Sequence, residues 1–338
     1  MALTDNDITV NALNAGSFGN HDDQATFNQD YVGGITVDST RSTINMYGNA
    51  WKAFELKSPH LVTARTHAIF QYQHLNEAEG HAICFEEDLN EDPFQGTHVR
   101  CVMLAGRQFT KWKHVRRVNL AIGQPTSQIH KLDAELAVDG NRNTFSNTGK
   151  RNNPWWQVQI NQSFTVTDIV MHNRFDVYTD RLTAFTVRIF QGETELYKES
   201  FQNQIAAETM YIEDIDIDES LLDDDEQMFV RITLDGDNIP HMLGEVEIFG
   251  NPKTGRYVSF DVNIGDLFRT SETYISYVAF IQDNDANPLV GQSSMRSITL
   301  VERDVVQDQG TIPYVSVSLL IMLTTFFYNF SKHLLRRL

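Results

Sequence analysis

Tyr257-Val258-Ser259-Phe260-Asp261-Val262 alternates apolar and polar side chains with the period of two that an extended strand imposes. Tyr277-Val278-Ala279-Phe280-Ile281 and Ser297-Ile298-Thr299-Leu300-Val301 follow it. Three strands after residue 252 cannot enclose a core by themselves. The same signature, punctuated by turn residues, lies upstream in Gly34-Ile35-Thr36-Val37, Ser42-Thr43-Ile44-Asn45-Met46, Thr66-His67-Ala68-Ile69-Phe70-Gln71-Tyr72 and His98-Val99-Arg100-Cys101-Val102. The expectation is that residues 31–112 and 253–303 are two halves of one β-sandwich, interrupted by a second domain over 113–252. Insertion at an exposed loop is tolerated because the ends of a domain often lie close together.

The remaining segments read as an N-terminal arm (1–30), a linker (304–311), a membrane span and a basic tail (331–338). Ile312–Phe330, IPYVSVSLLIMLTTFFYNF, has no charged residue and is close to the length that crosses a bilayer's hydrocarbon core. Lys332, Arg336 and Arg337 follow it, so the tail is expected on the cytoplasmic or matrix side with the acidic mass opposite. Met1 to Asn20 has neither the basic start nor the apolar run of a secretory signal. An organelle membrane, such as the mitochondrial inner membrane, and the cell surface both remain open.

The chain has 45 acidic and 27 basic side chains and a formal net charge of -18, a balance that repels nucleic acid. With only Cys84 and Cys101 there is no disulfide framework. Both read as buried thiols, and their pairing is left open. Glu86, Glu87, Asp88, Asp283 and Asp285 either converge on a hard cation or form solvated loops. His67, His74 and His81 recur every seven residues, but on strands and loops that spacing makes no shared metal site. The acidic run over 213–226, EDIDIDESLLDDDE, begins as an edge strand would and continues as a charged loop.

The middle region carries a series of short motifs. Asn119-Leu120-Ala121-Ile122-Gly123-Gln124-Pro125-Thr126-Ser127-Gln128 opens it, then Ala137-Val138-Asp139-Gly140-Asn141 and Asn153-Pro154-Trp155-Trp156-Gln157-Val158. His172-Asn173-Arg174-Phe175-Asp176 with Arg181-Leu182 and finally Gly244-Glu245-Val246-Glu247-Ile248 complete it. In order and spacing this resembles the F-type (fucose-binding) lectin family over essentially the whole of 113–252. The resemblance implies a jelly-roll-like sandwich of the galactose-binding, discoidin-related type. Asn49-Ala50-Trp51-Lys52-Ala53, the segment Gly80 to Asp88, Phe280 to Ala286 and Ser294 to Ile298 resemble a carbohydrate-binding-type sandwich module, here interrupted by the middle region. The expected fold is all-β: two jelly-roll-like β-sandwiches, the second inserted into the first, plus one C-terminal transmembrane helix.

The lectin family's sugar motif is a histidine, an Arg-x-Asp and a further basic residue after four positions. Arg174, Asp176 and Arg181 match its second part. Guanidinium groups offer fixed donors to sugar hydroxyls, and Asp176 would keep the two cations together. The same three residues also satisfy a plain ion pair at a sandwich end. Asn147 stands where the histidine would be, and Val177 and Tyr178 replace vicinal cysteines, Tyr178 offering a stacking surface. Phe145 and Gly244 occupy further cysteine positions. The resemblance also implies a structural Ca²⁺ held at Leu136, Asp139, Asn141, Thr144, Gly244 and Glu245. Trp155 and Trp156 read as one core and one surface aromatic, not as a sugar platform.

No nucleophile elbow, phosphate loop or His-based metal motif occurs. Two non-catalytic roles follow. One is a membrane-anchored carbohydrate-binding protein with a glycan partner. The other is an accessory subunit of a large membrane complex, for example a respiratory complex, that uses lectin-like folds for protein contacts.

Overall fold

The computed structural model describes residues 8–16, 34–38, 43–47, 50–75, 80–87, 100–106, 115–130, 133–174, 182, 184–202, 209–268, 273–283 and 292–303. The proposed membrane span and basic tail, and the sugar-motif residues Asp176, Tyr178 and Arg181, lie outside them. Among the described residues no helix is long and apolar enough to cross a membrane.

The described chain is all-β, broken only by short 3-10 turns. The upstream part contributes β1 (Ile8–Gly16), β2 (Gly34–Asp38), β3 (Thr43–Tyr47), β4 (Ala50–Val62), β5 (Thr66–His74), β6 (Gly80–Glu86), β7 (Arg100–Gly106) and β8 (Val115–Arg117). The middle contributes β9 (Thr126–Gln128), β10 (Ser146–Arg151), β11 (Trp155–Ile160), β12 (Phe164–His172), β13 (Phe185–Gln191), β14 (Thr194–Phe201), β15 (Thr209–Ile212), β16 (Met228–Leu234), β17 (Ile239–Leu243) and β18 (Glu245–Pro252). β19 (Val258–Asn263), β20 (Thr273–Asp283) and β21 (Gln292–Glu302) close the described chain.

The downstream strands pair with upstream ones. β20 lies between β4 and β6 in a sheet ordered β1-β4-β20-β6-β7-β8, and β21 lies between β5 and β3 in a sheet ordered β19-β5-β21-β3-β2. Period-two alternation explains the placement: Ala68, Phe70 and Tyr72 of β5 are buried and so are Val258 and Phe260 of β19, with the Phe70 and Phe260 rings stacked 5.3 Å apart. Ile83, Phe85, Val278 and Phe280 of the other sheet are buried in the same way. β1, within the segment read as an N-terminal arm, pairs with β4.

The middle region forms a five-stranded sheet, β14-β13-β16-β11-β9, and a three-stranded one, β15-β12-β18, with the antiparallel β10-β17 pair beside them. Trp156, Val158, Val187, Ile189, Val230 and Ile232 from the first sheet and Ile169, Met171, Val246 and Ile248 from the second make a continuous apolar interior, as a sandwich requires. Trp156 is fully buried and Trp155 is half-buried, so the pair divides between core and outer face, with the structure assigning which is which. The two sets of sheets touch through Phe164 and Phe260, whose rings meet edge-on at 5.6 Å. A hydrogen bond of 3.0 Å from the Gly106 amide to Asn251 Oδ1 crosses the same boundary.

Three expectations change. Cys84 and Cys101 face each other on β6 and β7 and form a disulfide, so they are not thiols. Glu86 pairs with Tyr277 and Asp283 with Gly80 at opposite ends of the same ladder, roughly 20 Å apart at strand rise, so these two carboxylates do not share a cation, while Asp88 and Asp285 lie outside the described residues. The edge strand is β15, and 213–218 is irregular: Ile215 and Ile217 are buried while Asp214 has a left-handed backbone (φ 58°) that breaks a strand. The three histidines also separate in role. His67 Nδ1 lies 2.8 Å from Asp261, His74 Nε2 lies 2.6 Å from the Pro252 carbonyl, and His81 meets the Tyr72 hydroxyl.

Candidate functional site

The loop between β9 and β10 gathers most of the predicted cation ligands. A 3-10 turn over Ala134–Ala137 delivers Asp139, and an Asx bond from the Asn141 amide to Asp139 Oδ1 (2.8 Å) bends the chain back. Thr144 Oγ1 then lies 2.7 Å from the Asn141 carbonyl, 2.8 Å from Asp139 Oδ2 and 3.4 Å from the Leu136 carbonyl. One hydroxyl proton serves three acceptors there, so oxygen lone pairs outnumber donors.

Glu245, at the start of β18, closes the cluster from the other side. Its Oε1 accepts from the Gly140 amide at 3.3 Å, a reach that the left-handed backbone of Gly140 (φ 77°) permits. Its Oε2 is buried with no hydrogen-bond partner. Burial raises its pKa from 4.5 to about 7, and the neighbouring Asp139 and Glu247 charges push the same way against the Gly140 bond. Gly244 is fixed by packing: a Cβ there would meet the Asn173 and His172 carbonyl oxygens at 2.9 and 3.0 Å. Two carboxylates, surrounding carbonyls and a hydroxyl form a hard, oxygen-only set with an orphaned buried lone pair, which suits Ca²⁺ rather than a soft metal.

Arg174 sits just after β12 and is 6% exposed. Its guanidinium carbon lies over Phe145, 4.1 Å from the ring centroid, and Nη1 is 2.8 Å from Met242 Sδ. Asn147 is the cross-strand partner of Met242, and Phe145 lies two positions before it, just ahead of β10. Arg174, Phe145, Met242 and Asn147 therefore occupy one patch. Asn147 Oδ1 accepts from the Gly149 amide at 2.9 Å, which leaves its amide nitrogen as the group able to donate outward. Phe145 and Met242 were not expected as partners of Arg174. Their signal was faint: one stands at a family cysteine position, and the other requires the β10-β17 register.

A second chain of polar groups connects the two parts. His172 Nδ1 lies 3.0 Å from Thr209 Oγ1, His172 Nε2 lies 3.1 Å from Glu247 Oε1, and Arg142 Nη2 donates to the same oxygen at 2.8 Å. The His172 bond, with help from Arg142, holds the Glu247 carboxyl below its ordinary pKa. These links brace β12, which leads into Arg174, against the strand that carries Glu245.

Residues 136–220 match the family model of the F5/F8 type C class described as NedA-like, galactose-binding domain. Over those residues the middle of the chain is thus similar to galactose-binding-like domains. A fucolectin of Anguilla anguilla is 31% identical over 65 residues, which is 18% of this chain and 41% of that protein. Among solved structures, the lectin domain of lectinolysin complexed with Lewis B antigen is 25% identical, with 39% of this chain and 96% of that chain covered at a TM-score of 0.35. A fucose binding module of Streptococcus pneumoniae is 27% identical, with 39% of this chain and 94% of that chain covered at a TM-score of 0.34.

Proposed function

We propose that this chain is a membrane-anchored, non-catalytic, lectin-like protein whose middle sandwich binds a galactose- or fucose-bearing glycan and holds a structural Ca²⁺. The observation that carries the reading is Arg174, buried and oriented by Phe145 at the place where the family's sugar motif puts its arginine. The match to a galactose-binding family model over 136–220 supports it, as does the fucolectin similarity. Asp176, Arg181 and Tyr178 complete the sugar contact in this reading, with Asn147 donating from the neighbouring strand. Ca²⁺, held by Asp139, Glu245, Thr144 and the Leu136, Asn141 and Gly244 positions, would tie the Asn147 loop to the end of the sandwich. The pairing of β19 to β21 with upstream strands supports an inserted middle domain. The apolar run 312–330 supports the anchor.

A second reading, an accessory subunit that uses the same surface to contact protein, draws on the low exposure of Arg174. The two separate on one experiment. Full chain in mild detergent is applied to a glycan panel with Ca²⁺ or with chelator, beside Arg174→Lys, which keeps the charge but not the fork. Losing a charged hydrogen bond of this kind lowers glycan affinity about tenfold or more. A wild-type chain that binds no glycan, or an Arg174→Lys chain that binds as well as wild type, removes the lectin reading. Migration as part of a large assembly would then favour the second.

A further inference from the structure

The outward face of the five-stranded sheet carries a transverse row of cations. Val158, Val187, Ile189, Val230 and Ile232 point into the core, so the residues alternating with them form the other face. In register across the sheet, Ser127 pairs with Gln157, Gln157 with Arg231, Arg231 with Arg188, and Arg188 with Lys198. Neighbouring strands lie about 4.8 Å apart, so three positive side chains start within about 10 Å of one another. Like charges directly opposite each other destabilise a sheet. They do so here in a chain with a net charge of -18, where acidic residues abound.

One carboxylate answers them: Glu195 Oε2 lies 3.2 Å from Arg188 Nε. Among the described residues, no carboxylate pairs with Arg231 or Lys198. Arg231 is held instead between Trp155 and Phe190, with ring centroids 4.8 and 4.7 Å from its Cζ, while its Nε and Nη2 both donate to Gln157 Oε1 at 2.9 and 2.6 Å. Phe229 stacks on Phe190 at 5.5 Å and extends the aromatic side. Partial desolvation and the Arg188 charge lower the Arg231 pKa. The guanidinium is thus fixed in place, with Nη1 unengaged among the described residues, a preorganised donor beside two further cations.

We propose that this face is a second binding site, for an anionic polysaccharide whose sugars carry sulfate or carboxylate groups. Guanidinium forks and an ammonium match such anions. Gln157 and Ser127 continue the row with groups that hydrogen-bond hydroxyls, and the half-buried Trp155 and Phe190 rings that hold Arg231 add apolar surface beside it. A ligand with anions and hydroxyls in one chain meets all three features. Duplex nucleic acid, with about one charge per 1.7 Å of axis, meets more repulsion from a chain of net charge -18 than a sparser polyanion does. The site is separate from the Arg174 patch and does not depend on it.

The test uses the full chain with heparin, polygalacturonate, neutral dextran and duplex DNA, by biolayer interferometry at low and raised salt. Lys198→Glu and Arg188→Gln are measured beside wild type. Salt-sensitive binding of heparin, of polygalacturonate or of both is expected, and which of them binds assigns sulfate or carboxylate. Each variant is expected to weaken that binding about tenfold, the loss of a charge-assisted contact, while its melting temperature stays level or rises because repulsion is relieved. Binding of neither polyanion overturns the proposal. So does binding that both variants leave unchanged, or DNA bound as tightly as either polysaccharide. Arg174→Lys, which leaves the sheet face intact, binds the polyanion as wild type does.

Discussion

Replacing Trp156 with alanine is expected to lower the stability of the fold by about 4 kcal/mol, the scale for emptying a fully buried aromatic site. The indole is completely buried, and its Nε1 donates to the Ala134 carbonyl at 2.8 Å. Alanine would leave a cavity between the two sheets and an unpaired carbonyl at its edge. Trp156→Phe separates these costs: most of the bulk remains, the hydrogen bond is lost, and the expected loss is about 1–2 kcal/mol. Because Ala134 opens the turn that delivers Asp139, the phenylalanine variant should also loosen the oxygen cluster. Chemical denaturation of the three chains, with hydrogen exchange over 134–145, reads both effects. A Trp156→Phe chain as stable and as protected as wild type would show that the indole N–H does not hold the loop.

Much of this architecture was legible because burial imposes its period directly on sequence. Val258 and Phe260 declare a strand without any knowledge of their neighbours, and the adjacent tryptophans must face opposite sides of β11. The same rule misreads 213–217, where Ile215 and Ile217 are buried but the Ile215 amide bonds to the Thr167 carbonyl at 2.9 Å from an irregular segment. Two anchors spaced by two residues satisfy the pattern, and the left-handed Asp214 that prevents a strand leaves no mark in hydropathy.

Register was the main thing hidden. Nothing in the spacing of residues 188, 198 and 231 says that they stand side by side, and the Cys84 to Cys101 pairing depends on how β6 meets β7. The oxygen cluster was named through the family resemblance alone, and the structure adds that Leu136, Asp139, Asn141 and Thr144 lie within one loop that local Asx geometry draws together. Arg174 was named from its motif, yet its setting on Phe145 and beside Met242 is a tertiary fact.

Glu245 yields the other large expected effect, a pH dependence that changes sign with the proposed ion. In chelator, the folded carboxyl titrates at about 7 against 4.5 for an ordinary glutamate. Below the lower value both folded and unfolded chains are protonated, and the group costs nothing. Between the two values the unfolded chain has lost the proton that the folded chain keeps, so stability falls as pH rises and levels off above about 7. A shift of that size corresponds to ~3 kcal/mol, and solvent screening at the sandwich rim reduces it to about 2 kcal/mol. With Ca²⁺ present the ionised form is the favoured one, so the ion's stabilisation should grow across the same interval as the proton is displaced. Glu245→Gln, neutral at every pH and of the same shape, should flatten both curves. Thermal melts across this range, in chelator and in Ca²⁺, carry the decision. Superimposed profiles for wild-type protein would mean that no ion engages the cluster, and a pH slope that survives Glu245→Gln would assign it to another group.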